Sequence, residues 1–492
     1  MSNLIKNEFS KIFHKKAIYI ICIIMFLIIG VNDYFMNKYS EEEMPKSYIT
    51  ENLEYMQEYL KTLSPDNPNQ KEEYIITQTQ IDLLSLQTKY DTNSWQFNVI
   101  DSELYDYVYN LNMHKYATEK NEEAINQAQQ EYDKIVEKLD ADDWKYFAND
   151  KLKIAQEELK TLQEQKANTQ DTVQIKELDS QIKAAENNVE ILKLRIDNDI
   201  SYANSYKNTA INNYQKALLF LADYDTEKEH TYEEQKEYNE YLEQREINKY
   251  IIETGTDVYA NNTLSYAIKS LYSSGGGFII FAVLVGIVIA GTIVSDEFSK
   301  GTIKMLLIRP YSRTKILASK YIVSLLMILF IMIVMLIGQL LIGGIIFGFD
   351  TLNNPVIIYN FETQQIQNVG VFAYAAMQAV AVLPSCILIT TLAFAINTLT
   401  NNAPLSIGLP LIGYMNYEVI NQLIQMAIEA KKFEFVKYFV TEHWTFENFL
   451  FGGLPGIQGF TVATSLLICA IYLVIMLIPT FIYFKKENIK NI

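Results

Sequence analysis

Between residues 69 and 254 the chain contains neither glycine nor proline, 186 residues in a row. A turn-rich β domain is hard to build without either residue, so this stretch points to long helices. Cysteine is nearly absent as well. Cys22, Cys386 and Cys469 all fall within apolar runs, leaving the polar stretch with none. A domain without disulfides must rely on its own packing, which is unusual for a eukaryotic secreted domain and unremarkable in a Gram-positive bacterium. His14, His114, His230 and His443 are scattered without ligand-like spacing, so no metal site is expected. No Gly-x-x-x-x-Gly-Lys-Ser/Thr occurs, and the chain cannot cradle nucleotide phosphates by that route. The run Ser273-Ser-Gly-Gly-Gly277 lacks the lysine and reads as a flexible joint. No nucleophile-base grouping stands out, and no catalytic residue is expected.

What is present divides into two unlike parts. Residues 37–275 carry 25 Lys and Arg against 46 Asp and Glu, a net of −21, while the remainder is at +4. The formal charge of −17 therefore belongs to a soluble insert. Its acidity argues against nucleic acid and for cations or cationic peptides as company.

Six apolar stretches read as membrane spans, at about 17–36, 277–295, 320–345, 371–396, 403–425 and 460–484. Residues 3–14 place Leu4, Ile5, Phe9, Ile12 and Phe13 on one helical face, with Lys6, Glu8 and Lys11 elsewhere, which suits a helix lying in the lipid interface. No small-residue cleavage site follows the first span, so it does not read as a signal peptide. Residues 278–294 and 321–349 have no charge, and between them lie Lys300, Lys304, Arg309, Arg313, Lys315 and Lys320. Basic residues concentrate in cytoplasmic loops, so this loop faces the cytoplasm. Both termini are then cytoplasmic and residues 37–275 extracellular, in the plasma membrane. Within the fifth span Glu418 and Asn421 are candidate pathway residues, because an intramembrane carboxylate is a functional candidate by default.

The loop sequence Glu297-x-x-x-Gly301-Thr302-Ile303-Lys304-x-Leu306-Leu307-x-x-Pro310-x-Ser312-Arg313 resembles the pattern after the second span of ABC type-2 permeases, the membrane subunits of ABC exporters. Gly301 would end one helix, Thr302 would cap the next and Pro310 would break it. The resemblance implies a coupling helix that docks on a separate ATPase through Glu297, Gly301, Thr302, Lys304, Arg309, Pro310 and Arg313. It also implies that residues 3–14, with Glu8 and Lys11, are a connecting helix, and that residues 426–459 are short re-entrant helices at the outer surface. By the same resemblance the chain works as a homodimer or with a second permease. Two ATPase copies would bind ATP and Mg, this chain holds no cofactor, and the cargo is a peptide, drug or lipid.

The insert has its own pattern. Ile175, Leu178, Ile182, Ala185, Val189, Leu192 and Ile196 alternate spacings of three and four, and Leu152, Ala155, Leu159 and Leu162 repeat the pattern just before them. With a turn at 168–172 this predicts an antiparallel coiled-coil hairpin, each arm about 30–50 residues, with a kink at 140–143. The expected fold is thus an all-α membrane protein of six transmembrane helices, with a large extracellular helical coiled-coil hairpin domain between the first two. Its segments are 1–36, 37–275, 276–348 and 349–492. An alternative role is a membrane sensor, scaffold or immunity protein whose insert binds a peptide or a cell-wall component.

Overall fold

The computed structural model describes residues 1–39, 46–225, 228–257, 262–274, 277–302, 311–430 and 434–486. The chain is mostly helical and divides into two compact units, Met1–Ser40 with Ala260–Ile492, and Glu41–Tyr259. It opens with α1 (Ser2–Phe13) and α2 (Lys16–Tyr39). The second unit follows with α3 (Lys46–Leu60), α4 (Lys71–Gln87), α5 (Trp95–Glu103), α6 (Tyr105–Lys115), α7 (Glu122–Asp140), α8 (Trp144–Asn168), α9 (Thr172–Asp197), α10 (Tyr206–Asp223) and α11 (Tyr232–Thr254). The chain returns to the first unit as α12 (Leu264–Lys269), α13 (Ile279–Ala290), α14 (Ser295–Ser299) and α15 (Arg313–Phe347). A hairpin of β1 (Val356–Asn360) and β2 (Gln365–Val369) precedes α16 (Val371–Thr400), α17 (Ala403–Met415), α18 (Tyr417–Glu429) and α19 (Val462–Lys486).

Among the described residues, five helical stretches are long and apolar enough to cross a membrane, not six: Ile18–Lys38, Ile279–Ser299, Arg313–Phe347, Val371–Thr400 and Val462–Lys486. The expected span at 403–425 is split. Asn416 ends α17 and begins α18, and its side-chain amide donates to the Ile412 carbonyl at 2.8 Å, closing the last turn of α17 from outside the helix. With 13 residues, α17 reaches about 20 Å at 1.5 Å per residue, short of an apolar layer of about 30 Å.

The all-α expectation needs a second correction at β1 and β2. Val356-Ile-Ile-Tyr359 is β-branched and aromatic, which suits a strand, and the Asn360 side chain accepts from the amides of Glu362 and Thr363 to form the turn. The strands pair antiparallel from Val356 with Val369 to Asn360 with Gln365. Residues 264–272, read as the end of the insert, belong to the first unit instead. Leu264, Ile268, Leu271 and Tyr272 are buried in its core, and the Tyr272 hydroxyl donates to Met332 O at 2.7 Å. Nor is Ser273–Ser274 a free joint, since the Ser274 amide is held by the Glu447 carboxylate at 3.1 and 3.2 Å. Residues 275 and 276 of that run lie outside the described residues. Where re-entrant helices were expected, the described part of 426–459 holds the end of α18 and short 3-10 turns at Glu434–Tyr438, Val440–Glu442 and Glu447–Gly452.

Several helix ends of the first unit meet at one end of it. Asn397, near the end of α16, holds residues 291–295, and Arg313 at the start of α15 donates to Lys485 O at the end of α19, at 3.4 Å. The end of α19 and the start of α15 therefore share a side.

In the second unit α8 and α9 form the antiparallel hairpin, turning at 169–171 with Asp171 capping α9. Its arms are shorter than expected, 25 and 26 residues, about 38 Å at 1.5 Å per residue. Residues 140–143 are a break and not a kink. Asp142 takes a left-handed φ of +58°, and its carboxylate accepts from Trp95 Nε1 at 2.5 Å and Gln96 Nε2 at 3.1 Å. Burial deepens along the hairpin. Ile175, Leu178 and Ile182 are half-buried near the turn, while Ala185, Val189 and Leu192 are buried where α10 also packs on α9.

Candidate functional site

The charged residues of α1 and of the loop after α13 converge. In α1 the buried residues are Leu4, Glu8 and Ile12, one every four positions, so Glu8 lies on the packed face of the helix and not beside Lys6 on the polar one. In α15 the buried stripe runs through Leu317, Lys320, Ser324, Met327, Ile328 and Ile331. The Lys320 ammonium, 1 % exposed, donates to Glu8 Oε2 at 2.8 Å and to Glu297 Oε1 at 3.0 Å. Lys11 closes the group from the rim, 3.0 Å from Glu8 Oε1 and 2.6 Å from Glu297 Oε1. The Thr302 hydroxyl donates to the other oxygen of Glu297. Two cations and two carboxylates thus alternate, joining α1, α14 and α15 across up to 312 residues of sequence.

Burying charge is expensive unless each group is paired and hydrogen-bonded, and here each is. Burial works against the Lys11 ammonium, but the Glu297 hydrogen bond and the charges of Glu8 and Glu297 outweigh it and hold its pKa above the ordinary lysine value. Beside the group, Lys15 pairs with Asp296 at 2.6 Å. A cleft of about 570 Å³ opens over the whole cluster, lined also by Asn7, Ser10 and Lys300.

Glu8, Lys11, Glu297 and Thr302 are thereby brought together. Gly301 ends α14 with φ +67° and open space where a Cβ would stand. The Thr302 hydroxyl donates back to Glu297, and the helix it was expected to cap would lie outside the described residues. Lys304, Arg309 and Pro310, with Ile303, Leu306 and Leu307, lie outside the described residues. Arg313 opens α15, whose cap is Ser312. By sequence Lys320 reads only as one of the basic residues of the loop. Its signal was a lysine standing in an apolar i, i+3, i+4 stripe.

Glu418 and Asn421 do not form a shared polar site. Glu418 is exposed at the start of α18, touched by the Tyr417 hydroxyl at 3.4 Å, whereas Asn421 donates to Thr441 O at 3.3 Å. Close by, His443 is 1 % exposed, with Nε2 at 2.7 Å from Lys437 O and Nδ1 at 3.1 Å from Ser465 Oγ. Burial pushes its pKa below the usual histidine value, and the Lys437 carbonyl only partly opposes this. Above about pH 6.5 the ring is neutral both folded and unfolded. As pH falls below that, the unfolded chain takes up the proton first and stability drops. Thermal unfolding of the detergent-solubilised chain should therefore show an acid-side loss of melting temperature that shrinks in His443→Gln. Equal losses in both proteins would remove His443 as the cause.

Residues 246–490 match the model of a family described as Protein of unknown function (DUF2705). Over 228 residues, 46% of this chain and 70% of the relative, the sequence is 31% identical to the Uncharacterized protein YhcI of Bacillus subtilis (strain 168). No solved structure matches. The resemblance to ABC type-2 permeases read from residues 297–313 is corrected by these matches, neither of which is to that family. The motif is short, and its described parts serve needs common to any loop between apolar helices: Gly301 stops α14 and Ser312 caps α15.

Proposed function

For a chain that belongs to the DUF2705 family, we propose a role as the membrane-embedded subunit of an ATP-driven exporter, with ATP and Mg bound by a separate partner. The observation that carries this reading is the Lys320 group. It ties the loop after α13 to the amphipathic α1 and to the first turns of α15, so a push on the loop is passed to several apolar helices as one body. Charges at that end remain available to a partner, among them Lys300 beside the cleft.

In this reading the end with Lys15, Lys16, Lys300, Lys315, Lys485 and Lys486 faces the cytoplasm, as basic residues do. The split pair α17 and α18 makes a sixth, broken crossing, which returns both termini to that side, and the acidic unit is extracellular. A discontinuous helix is tolerated in a membrane where it is buried in protein or lines a cavity. Two copies, or one with a second membrane subunit, work with two ATPase copies. The cargo is a peptide, drug or lipid, and the net charge of −21 over residues 37–275 favours a cationic peptide.

The test is reconstitution of the full chain in liposomes, alone and with candidate ATPase subunits from the same organism. The chain alone should hydrolyse no ATP, and the pair should show hydrolysis that rises with cargo. Lys300→Glu should lower the stimulated rate at least tenfold, since a close charge pair at an interface is worth about 1.5–7 kcal/mol. Glu297 is a poor probe of docking, because it points into the Lys320 group. Absence of any ATPase association, or stimulation indifferent to Lys300→Glu, would overturn the coupling role.

A further inference from the structure

Far along α2 from the Lys320 group, a second charged residue stands in an apolar stripe. Met25, Ile29 and Asp33 follow one another at four-residue spacing, and all three are fully buried. The Asp33 carboxylate accepts one close hydrogen bond, from Gln339 Nε2 of α15 to Oδ2 at 2.6 Å, while Asn32 Nδ2 reaches Oδ1 only at 3.5 Å. Gln339 is itself fully buried, and its Oε1 has no hydrogen-bond partner. Gly343 makes room for the pair, because a Cβ there would lie 2.8 Å from Gln339 Nε2 and 3.2 Å from Asp33 Oδ2.

Among the described residues no cation pairs with Asp33. Its own helix offers Tyr34 and Lys38, and α15 carries no titratable side chain from Ile322 to Phe347. Of the other elements packed on α2, α13 has no titratable side chain, and those of α1 stand at the opposite end of α2. On α12, which packs against α15, Tyr266 and Lys269 make no bond to Asp33. A buried carboxylate with one close and one long amide donor and no counter-ion is a costly arrangement, and such a group is relieved by taking up a proton. The orphaned Gln339 oxygen is the acceptor that such a proton needs.

We propose that Asp33 of α2 and Gln339 of α15 form a proton-binding site, in which the protonated carboxyl donates to Gln339 Oε1 while Gln339 Nε2 donates back to the other carboxyl oxygen. Proton uptake then satisfies both buried groups at once, and release unpairs them where α2 and α15 meet. A sodium ion fits less well. It would find only two carboxylate oxygens and one amide oxygen, and Oδ2 is already taken by the amide. The site lies apart from the Lys320 group and does not depend on the exporter reading.

The full chain in lipid, wild type against Asp33→Asn, decides this by infrared difference spectroscopy. At neutral pH the wild type should show the carbonyl stretch of a protonated carboxyl, shifted in heavy water and missing in Asp33→Asn. Added sodium should leave it unchanged. If Asp33→Asn does not fold, the wild type alone suffices with a lipophilic carbodiimide. The acid proton passes to a carbodiimide nitrogen, the carboxyl oxygen bonds the central carbon, and acyl migration leaves an N-acylurea readable as a mass increase on the peptide containing Asp33. Adduct formation at neutral pH, falling as pH rises, supports the site. A carboxylate band with no protonated form and no adduct would overturn it, as would loss of the protonated band on adding sodium.

Discussion

Lys320→Met should destabilise the first unit by about 3–5 kcal/mol, the cost of leaving a buried charge without its partner. Without Lys320, Glu8 and Glu297 face each other with side chains 6% and 8% exposed, and only Lys11, 47% exposed, remains to separate them. Methionine fills the space of the lysine stem, so the loss is electrostatic and not a cavity. The diagnostic result is the rescue. Lys320→Met combined with Glu297→Gln removes one of the two opposed carboxylates and should recover much of the lost melting temperature, although each single change is harmful. Double-mutant analysis of thermal unfolding in detergent reads this as a coupling energy between contacting residues. Additive losses would show that the three segments are held by apolar packing and that the ion group contributes little.

Asn397→Leu should be comparably damaging, for the opposite reason that no charge is involved. The Asn397 side chain is fully buried and makes four close bonds to one turn. Oδ1 accepts from the amides of Val294 and Ser295 at 3.0 and 3.1 Å, and Nδ2 donates to Gly291 O at 2.6 Å and Ser295 Oγ at 2.9 Å. The chain leaves α13 here to reach α14, so these groups have no complete helical ladder of their own. Leucine keeps the volume and orphans two amides and a carbonyl, at about 1–3 kcal/mol for each buried group. Asn397→Asp keeps the acceptor and loses the donor, and should fall between. Because the turn carries Asp296 and Glu297, Asn397→Leu should also raise the reactivity of Lys11 toward amine reagents. A variant that melts with the wild type and leaves Lys11 unchanged would show that water replaces the amide.

The reach of sequence reasoning differs from residue to residue. The α8 and α9 hairpin was visible because a three-four apolar repeat specifies a helix pair wherever it occurs, and the turn at 169–171 falls where the repeat is interrupted. Its arm length was overestimated because the kink expected at 140–143 is a full break, and the left-handed backbone of Asp142 there is stabilised by Trp95 and Gln96, almost fifty residues away. All five long apolar stretches were plain from composition, since an apolar run of that length has few other uses. The stretch at 403–425 has the same composition and yet breaks, because an asparagine that can close one helix with its side chain can also begin the next.

By itself, the sequence determined the separation into an apolar part and an acidic helical part, the apolar periodicity of their helices and the placing of basic residues beside the apolar runs. These follow from which residues water accepts, a property that each residue carries with it. The tertiary structure decided which charges are partners. Lys320 and Asp33 look alike in sequence, as single charges in apolar stripes, but Lys320 meets the Glu8 carboxylate across 312 residues and Asp33 meets only side-chain amides. Pairing depends on distance in space, and distance in space is set by packing between helices remote in the chain.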